Sequence, residues 1–408
     1  MTTLTSIWPL LLGPGALLDR LIPHFIGPHL EIGNLTIIMP SGESRFLSGK
    51  HHGPQATLVI HRARALRRLA LEGAVGFGDA YLDGDWDSPD LTALLELGDR
   101  NATGLGGHMI ARLLGRVWHR LNDNTRRGSR RNIEAHYDLG NAFYSRWLDP
   151  GMTYSAALFE SEADSLEGAQ IRKYRALADD IGLAPGMRVL EIGCGWGGFA
   201  EIAARDYGAH VVGLTLSREQ HDWATKRMAA QGLSDNVEIR LQDYRDVEGQ
   251  FDRIVSIEMI EAVGERWWPR FFATLRDRLL PGGKIGLQAI TIADDRFESY
   301  RAGCDFIQRR VFPGGMLPSL EAIRSQARQA GLKSDTRRSF GKDYDRTLQI
   351  WGKAFGEAWP SLRPLGFDQR FQRLWNFYIA YCRAGFRSGA IDVSHFVLEP
   401  VLSEGEVA

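Results

Sequence analysis

The stretch VLEIGCGWGGFA, residues 189–200, decides the fold. It reads as an apolar strand, a glycine-rich turn and the start of a helix. Gly193, Gly195 and Gly198 match the pattern G-x-G-x-x-G of a dinucleotide-binding turn. The turn therefore predicts a ligand with a nucleotide, and by itself it fits a nicotinamide, a flavin or S-adenosylmethionine.

The sequence around this turn alternates regularly between strand and helix patterns. Further apolar strands are predicted in HVVGLTL, NVEIRLQDY, FDRIVSIEMI and KIGLQAITI, with helices in GFAEIAARDYG, SREQHDWATKRMAAQG and ERWWPRFFATLRDRLL. Such alternation predicts an α/β fold, a Rossmann-like doubly wound parallel sheet with helices on both faces. Ligands of these sheets bind beyond the carboxyl ends of the strands, so we expect the functional residues there.

A smaller α+β domain is predicted before this sheet. Residues 30–62 show short strand patterns and residues 63–120 look mostly helical, whereas RRGSRR (126–131) has the composition of a linker. We therefore predict two domains, one over 1–125 and the other over 126–408.

The residues at the end of the second strand distinguish a nicotinamide dinucleotide site from a site for S-adenosylmethionine. An NAD site needs an acid there to hold the ribose hydroxyls, but the segment after Gly213 reads Leu-Thr-Leu-Ser. Glu191 instead precedes the glycines, in E-x-G-x-G, and suits a ligand with a charged ammonium group such as the methionine end of S-adenosylmethionine. The pattern favours S-adenosylmethionine; a solvated carboxylate at a strand end is the plainer interpretation of Glu191.

The overall composition argues against several other classes of protein. The net charge of the 408 residues is −1, which predicts no nucleic-acid partner. The three cysteines lie far apart without C-x-x-C spacing, which predicts neither a metal site nor a disulfide framework and favours a cytoplasmic protein. The apolar residues 6–27 are interrupted by Pro9 and Pro14, so we interpret them as an amphipathic helix packed on its domain, with a helix on a membrane surface as the alternative.

Several longer segments resemble the cyclopropane-fatty-acyl-phospholipid synthases and the related mycolic acid cyclopropane synthases. The resemblance rests on HYDLGNAFYSRWLDPGMTYSAALFE (136–160), VLEIGCGWGGFA (189–200), GLTLSREQ (213–220), LQDYRDV (241–247), FDRIVSIEMIEAVG (251–264), VFPGGMLPS (311–319) and FGKDYDRTL (340–348). It is close over 126–400 and looser over 76–91. It implies an enzyme that uses S-adenosylmethionine to alkylate a cis double bond in a lipid acyl chain, with a lipid-docking domain over 1–125 and a methyltransferase domain over 126–408.

The resemblance also implies the site residues. The cofactor would contact Tyr154, Glu191, Gly193, Gly195, Thr215, Gln220, Tyr244 and Ile257. Methyl transfer to an alkene makes a carbocation, for which aromatic faces provide a suitable wall. The candidates for this wall are Tyr154, Phe159, Phe306, Tyr344, Tyr378 and Phe386, each of which is also an ordinary core residue by type.

In the family that this sequence resembles, a bound bicarbonate removes the proton from the cation. Its site would here include Glu261, Tyr344 and Ile290, but Ala156 stands where the family has Cys and Gln288 where it has His. Gln288 can donate a hydrogen bond but cannot carry a proton. Glu258, where the family usually has Gly, adds a second carboxylate close to Glu261 and would raise one pKa if the two share a proton; it could equally point elsewhere.

This altered site leaves the product open between a cyclopropane and a methyl-branched unsaturated chain. A small-molecule C-methyltransferase of the same fold and a lipid-binding protein with a decayed site are the alternatives. For the leading interpretation we expect a homodimer acting peripherally at the inner membrane face. The arginine cluster between Arg112 and Arg131, with a second basic run from His61 to Arg68, would touch anionic headgroups, unless both are merely solvated faces.

Overall fold

The computed structural model describes residues 29–102, 124, 125, 128 and 139–401. The apolar segment 6–27 and almost all of the arginine cluster lie outside the described residues, so the expectations about them stay predictions. Labels below number the described strands and helices in chain order.

The N-terminal part forms a small sheet with two helices. Its order is β2-β1-β3-β4, with β1 and β3 parallel. The strands are β1 (Ile32–Ile38), β2 (Ser44–Ser48), β3 (His51–Ile60) and β4 (Trp86–Asp87), and the helices are α1 (Arg64–Leu82), interrupted at Gly73, and α2 (Leu91–Arg100). The alternating burial of β1 explains why its sequence pattern predicted a strand.

The large sheet has seven strands in the order β10-β11-β9-β8-β5-β6-β7. They are β5 (Arg188–Ile192), β6 (His210–Thr215), β7 (Val237–Leu241), β8 (Phe251–Ile257), β9 (Leu279–Ile292), β10 (Leu332–Ser339) and β11 (Ile391–Pro400). The α/β fold and the five strands predicted from sequence are confirmed. These five strands are parallel as expected, and the sheet continues beyond β9 with two strands that were not predicted, of which β11 is antiparallel to both β9 and β10.

Helices connect and cover this sheet. They are α3 (Asn141–Tyr144), α4 (Leu166–Asp180), α5 (Gly198–Tyr207), α6 (Arg218–Ala230), α7 (Trp268–Asp277), α8 (Asp294–Arg301), α9 (Phe306–Arg310), α10 (Leu320–Gln329), α11 (Gly341–Leu362) and α12 (Gln369–Ser388). Ser217 and Ser165 accept the backbone N–H groups of Gln220 and Gly168, which caps α6 and α4.

One hydrophobic core joins the N-terminal sheet to α11 and α12. Phe377 of α12 packs against Tyr81 at 5.5 Å between ring centroids and against Trp86 at 6.4 Å. The guanidinium of Arg373 lies 4.0 Å from the ring centroid of Tyr81. The sheets are separate, but the two parts share buried side chains; the boundary near residue 125 stays a prediction.

The basic run of the N-terminal part is largely ion-paired within its own domain. Arg62 and Arg64 both bind the buried carboxylate of Asp85, and Arg68 binds Asp83 at 2.7 Å. His61 lies 2.9 Å from Asp87. These contacts favour a structural role for the run over headgroup binding. Among the described residues, no helix combines the length and the apolar character that crossing a membrane requires.

Candidate active site

The glycine-rich turn between β5 and α5 is folded tightly against β6 and β8. Gly193 and Gly195 have φ of 83° and 53°. The backbone N–H groups of Gly193 and Cys194 both donate to the carbonyl of Leu214, at 3.0 and 2.9 Å. A Cβ on Gly193 would lie 2.8 Å from Cγ of Met259. Only glycine combines this backbone conformation with so close an approach, as a nucleotide-binding turn requires.

Glu191 lies at the end of β5 with one carboxylate oxygen available for a ligand. The residue is buried, and its Oε2 has no hydrogen-bond partner among the described residues. The backbone N–H of Ala200, in the first turn of α5, donates to the same carboxylate. Burial raises the pKa of Glu191 to about 8, against the opposing charge of Lys173. An unpartnered buried carboxylate fits the ammonium group of S-adenosylmethionine, as the sequence predicted.

The remaining predicted cofactor residues surround the same edge of the sheet. Thr215, at the end of β6, donates to Oε1 of Gln220 at 2.8 Å, and both side chains are buried. The hydroxyl of Tyr244 is buried without a partner among the described residues, and burial raises its pKa to about 12. Ile257 ends β8 beside β5. These groups fit an adenosine that lies across the strand ends and gives Tyr244 a hydrogen-bond partner.

Glu258 follows β8 and has a left-handed backbone, with φ of 49°. Its Oε1 accepts the backbone N–H of Ala156 at 2.8 Å and Nε2 of Gln288 at 2.6 Å. Its Oε2 accepts the hydroxyl of Tyr344, also at 2.6 Å. Three positions expected to hold bicarbonate thus converge on a carboxylate of the chain itself, and Glu258 points into the site.

A chain of buried polar groups continues behind Gln288. The Oε1 of Gln288 lies 3.0 Å from Nε2 of His395, and both residues are 0% exposed. Arg338 lies 3.2 Å from Nδ1 of His395. Because arginine only donates, His395 accepts at Nδ1 and donates from Nε2 to Gln288. This fixes the amide so that Nε2 of Gln288 faces Glu258; burial, with the charge of Arg338, keeps the pKa of His395 well below its usual range.

Glu261 lies next to Glu258, in the short turn Ile260–Ala262. Its Oε1 accepts the backbone N–H of Ile290 at 2.6 Å, whereas its buried Oε2 has no partner among the described residues. Burial, and then the negative charge of Glu258, raise the pKa of Glu261 to about 8. Burial also raises the pKa of Glu258, so both carboxyls of the pair favour protonation more than isolated ones do, as is expected of two neighbouring carboxylates.

Replacing Glu261 with glutamine should flatten the pH dependence of stability. An acid with a raised pKa in the folded protein costs stability once the unfolded chain ionises, so the parent loses stability between about pH 4.5 and 8. The loss is at most about 1.4 kcal/mol per pH unit. Thermal unfolding of parent and Glu261→Gln at pH 5, 6, 7 and 8 measures it. We expect the difference between them to shift in favour of the variant as pH rises; parallel curves would contradict the raised pKa.

Lys173 of α4 is a site residue that sequence reasoning missed. It is 0% exposed, and its Nζ donates to Oγ of Ser155 at 2.6 Å. Burial lowers the pKa of Lys173 to about 7, while the charges of Glu258, Asp149 and Glu191 oppose that shift. A signal exists in the sequence: Lys173 falls on the apolar stripe of its helix, with Tyr174 and Leu177. When protonated, Lys173 offsets part of the negative charge of these three carboxylates.

An aromatic cluster lies against the carboxylate pair. Tyr344 packs on Phe386 at 4.6 Å and on Trp351 at 6.2 Å between centroids, and Trp351 stacks on Tyr154 at 5.2 Å. The hydroxyls of Tyr154 and Tyr378 lie 3.0 Å apart. Four of the six aromatic candidates therefore meet here, joined by Trp351, which the sequence did not single out.

The other two aromatic candidates lie elsewhere. The ring of Phe159 faces the guanidinium of Arg346 at 4.0 Å, outside this cluster. Phe306 packs on Phe377 at 4.4 Å, close to α1 and the N-terminal part. Phe159 and Phe306 are thus better explained by packing than by contact with a reacting cation.

Comparisons with known proteins agree with this site. The chain is 42% identical over 362 residues to the tuberculostearic acid methyltransferase UfaA1 of Mycobacterium tuberculosis, covering 84% of this chain and 83% of that protein. It is 36% identical over 363 residues to the cyclopropane-fatty-acyl-phospholipid synthase of Escherichia coli, covering 86% of this chain and 89% of that protein. Both relatives extend into the N-terminal part.

Solved structures support the fold and the cofactor. The cyclopropane synthase MmaA2 of Mycobacterium tuberculosis superposes with a TM-score of 0.61 at 33% identity, over 66% of this chain and 97% of that one. The mycolic acid cyclopropane synthase CmaA1, solved with S-adenosylhomocysteine, gives 0.60 at 32% identity and covers the same shares. The cofactor is S-adenosylmethionine and the protein is a methyltransferase. The family described as mycolic acid cyclopropane synthetase matches residues 124–396, and the chain belongs to that family.

Proposed function

We propose that the protein transfers the methyl group of S-adenosylmethionine to the cis double bond of an unsaturated phospholipid acyl chain. The product is a cyclopropane or a methyl-branched unsaturated chain. The single observation that carries the proposal is the aromatic cluster of Tyr154, Tyr344, Trp351 and Tyr378 beside the half-buried carboxylates Glu258 and Glu261. An electron-rich wall next to a base suits a reaction that forms a cation and then removes a proton.

Some residues of the site would bind the cofactor, and others would take part in proton transfer. Bound S-adenosylmethionine supplies an electrophilic methyl group on a sulfonium sulfur. Glu191 would pair with the ammonium group, and Tyr244 with Thr215 and Gln220 would hold the adenosine end. The glycines of the β5–α5 turn allow the backbone to approach the ligand closely. Tyr344 holds the carboxylate of Glu258 at 2.6 Å, on the side of the aromatic cluster.

The names of the relatives support an acyl-chain acceptor. One is called a synthase of cyclopropane fatty acyl phospholipids and another a tuberculostearic acid methyltransferase. Phospholipid acyl chains lie in a bilayer, so we propose that the protein acts peripherally, at the inner face of the cytoplasmic membrane, and works as a homodimer. The family resemblance also implies that a bicarbonate ion can bind in the site and accept the proton.

Mass spectrometry of lipid tests the proposal. Vesicles of a phospholipid with cis-monounsaturated chains are incubated with the protein, with and without S-adenosylmethionine. We expect acyl chains to gain one CH2 unit only when both are present, and fragmentation then locates a ring or a methyl branch with its double bond. Activity on soluble acceptors without vesicles would point to a small-molecule methyltransferase. Cofactor binding without any mass gain would point to a decayed site.

A further inference from the structure

The groups around Glu258 form a receptor for one carboxylate. The N–H of Ala156, the amide of Gln288 and the hydroxyl of Tyr344 come from three separate parts of the chain: the loop before α4, strand β9 and helix α11. All three donors converge on the same anion. Such a set of donors at hydrogen-bond distance is built to hold negative charge in a partly buried place.

The side chain of Glu258 itself occupies this receptor, and its backbone adopts an unfavourable conformation there. A non-glycine residue at φ of 49° is disfavoured because its Cβ approaches the following carbonyl oxygen too closely. Met152 is the other non-glycine residue with positive φ in the described part of the chain. The strained conformation aims the Glu258 carboxylate into the receptor, and strain of this kind concentrates at functional sites.

Burial raises the pKa of Glu258, whereas its three hydrogen-bond donors and Lys173 oppose that shift, and the donors leave it one free acceptor position. Oε1 receives two donors, whereas Oε2 receives only the hydroxyl of Tyr344 among the described residues. Each carboxylate oxygen has two lone pairs, so one lone pair of Oε2 remains available. Glu261, the other carboxyl of the pair, has a pKa raised to about 8, and its Oε1 accepts the N–H of Ile290.

We propose that Glu258 is the built-in catalytic base of the reaction and takes the place of a dissolved anion such as bicarbonate. This inference rests on the proposed function. For the ring, a C–H bond of the transferred methyl group breaks and its electron pair bonds to the cationic carbon. For the methyl-branched chain, a C–H bond of the chain carbon next to the cation breaks and its electron pair forms the new double bond. The proton passes to Oε2 of Glu258 and leaves to water when the product is released. Tyr344, Gln288 and, behind it, His395 are positioning residues for this carboxylate.

The test compares parent, Glu258→Gly and Glu258→Gln in buffer freed of carbon dioxide, with the same vesicles and cofactor. Glycine at this position removes the carboxylate and relieves the positive φ, so the variant should fold. We expect the parent to work at full rate without bicarbonate and both variants to lose about 100-fold or more in turnover. Added sodium bicarbonate or formate should restore Glu258→Gly at least partly, because the receptor is then open. Glu258→Gln should stay inactive, because its amide still fills the space.

Controls separate the outcomes. Glu248→Gln, on an exposed loop, should match the parent, and calorimetry with S-adenosylhomocysteine should show unchanged affinity in the Glu258 variants. A parent that is active only with added bicarbonate, or variants that keep its rate without it, would overturn this inference and leave the proposed function standing. A parent that modifies no lipid under any condition would overturn the proposed function and this inference with it.

Discussion

Methionine in place of Lys173 should destabilise the folded protein by about 1–3 kcal/mol above pH 7, because it removes the buried amino group that donates to Ser155 and lies among carboxylates. Lys173 is fully buried, and the charges of Glu258, Asp149 and Glu191 all act on it. Methionine keeps most of the volume of the lysine stem, so a loss of packing contributes little. The hydroxyl of Ser155 also loses its donor, which lies at 2.6 Å.

The measurement is the thermal midpoint of Lys173→Met between pH 5 and 9, beside Lys353→Met. Lys353 is 80% exposed and only 3.9 Å from Glu357, and an exposed pair of this kind contributes little to stability. We expect the deficit of Lys173→Met to grow with pH, since the uncompensated carboxylates ionise more as pH rises. Equal midpoints for the two variants would show that Lys173 does not balance the charges of the site.

Glutamine in place of Glu191 should weaken the binding of S-adenosylhomocysteine by roughly 30- to 1,000-fold, which corresponds to about 2–4 kcal/mol. The amide preserves shape but cannot offer a negative charge to the ligand's ammonium group. Glu191 is buried and its Oε2 has no partner among the described residues, so few other contacts should change.

Calorimetry in two buffers of different ionisation enthalpy gives a second readout for Glu191. The pKa of Glu191 is raised to about 8, so at pH 7 the carboxyl is mostly protonated before binding. A bound ammonium favours the ionised form, so the parent should release close to one proton and Glu191→Gln should release none. Glu238→Gln on β7, where the side chain is 59% exposed, should behave like the parent. Unchanged affinity with unchanged proton release would place the ammonium elsewhere.

The cofactor side of the site was predictable because it depends on local sequence. Glu191 and Thr215 end apolar strands that the pattern marks clearly, and the glycines between them follow from the turn. Two neighbouring strands of a parallel sheet bring their ends together without further information. The prediction therefore needed only the positions of the strand ends, which periodicity provides.

For the carboxylate pair and its partners, the sequence predicted which types of residue are present but not how they are arranged. The sequence raised Glu258 as a second carboxylate but could not give its direction, since the left-handed backbone and the donors 30 to 102 residues away are tertiary facts. Lys173 and His395 were missed for the same reason. Each occupies an apolar helix or strand pattern, and its chemistry arises only from what packs against it. The antiparallel strand β11, which carries His395, was also missed.

Helix α12 packs against both the N-terminal part and the aromatic cluster of the site. Phe377 packs into the core of the N-terminal part, and the next residue, Tyr378, holds its hydroxyl 3.0 Å from that of Tyr154. A densely packed interior passes a displacement on to its neighbours instead of absorbing it. A shift of the small sheet by a fraction of an ångström would therefore also move the aromatic cluster, so that the position of the N-terminal part and the shape of the site are mechanically coupled through consecutive residues of one helix.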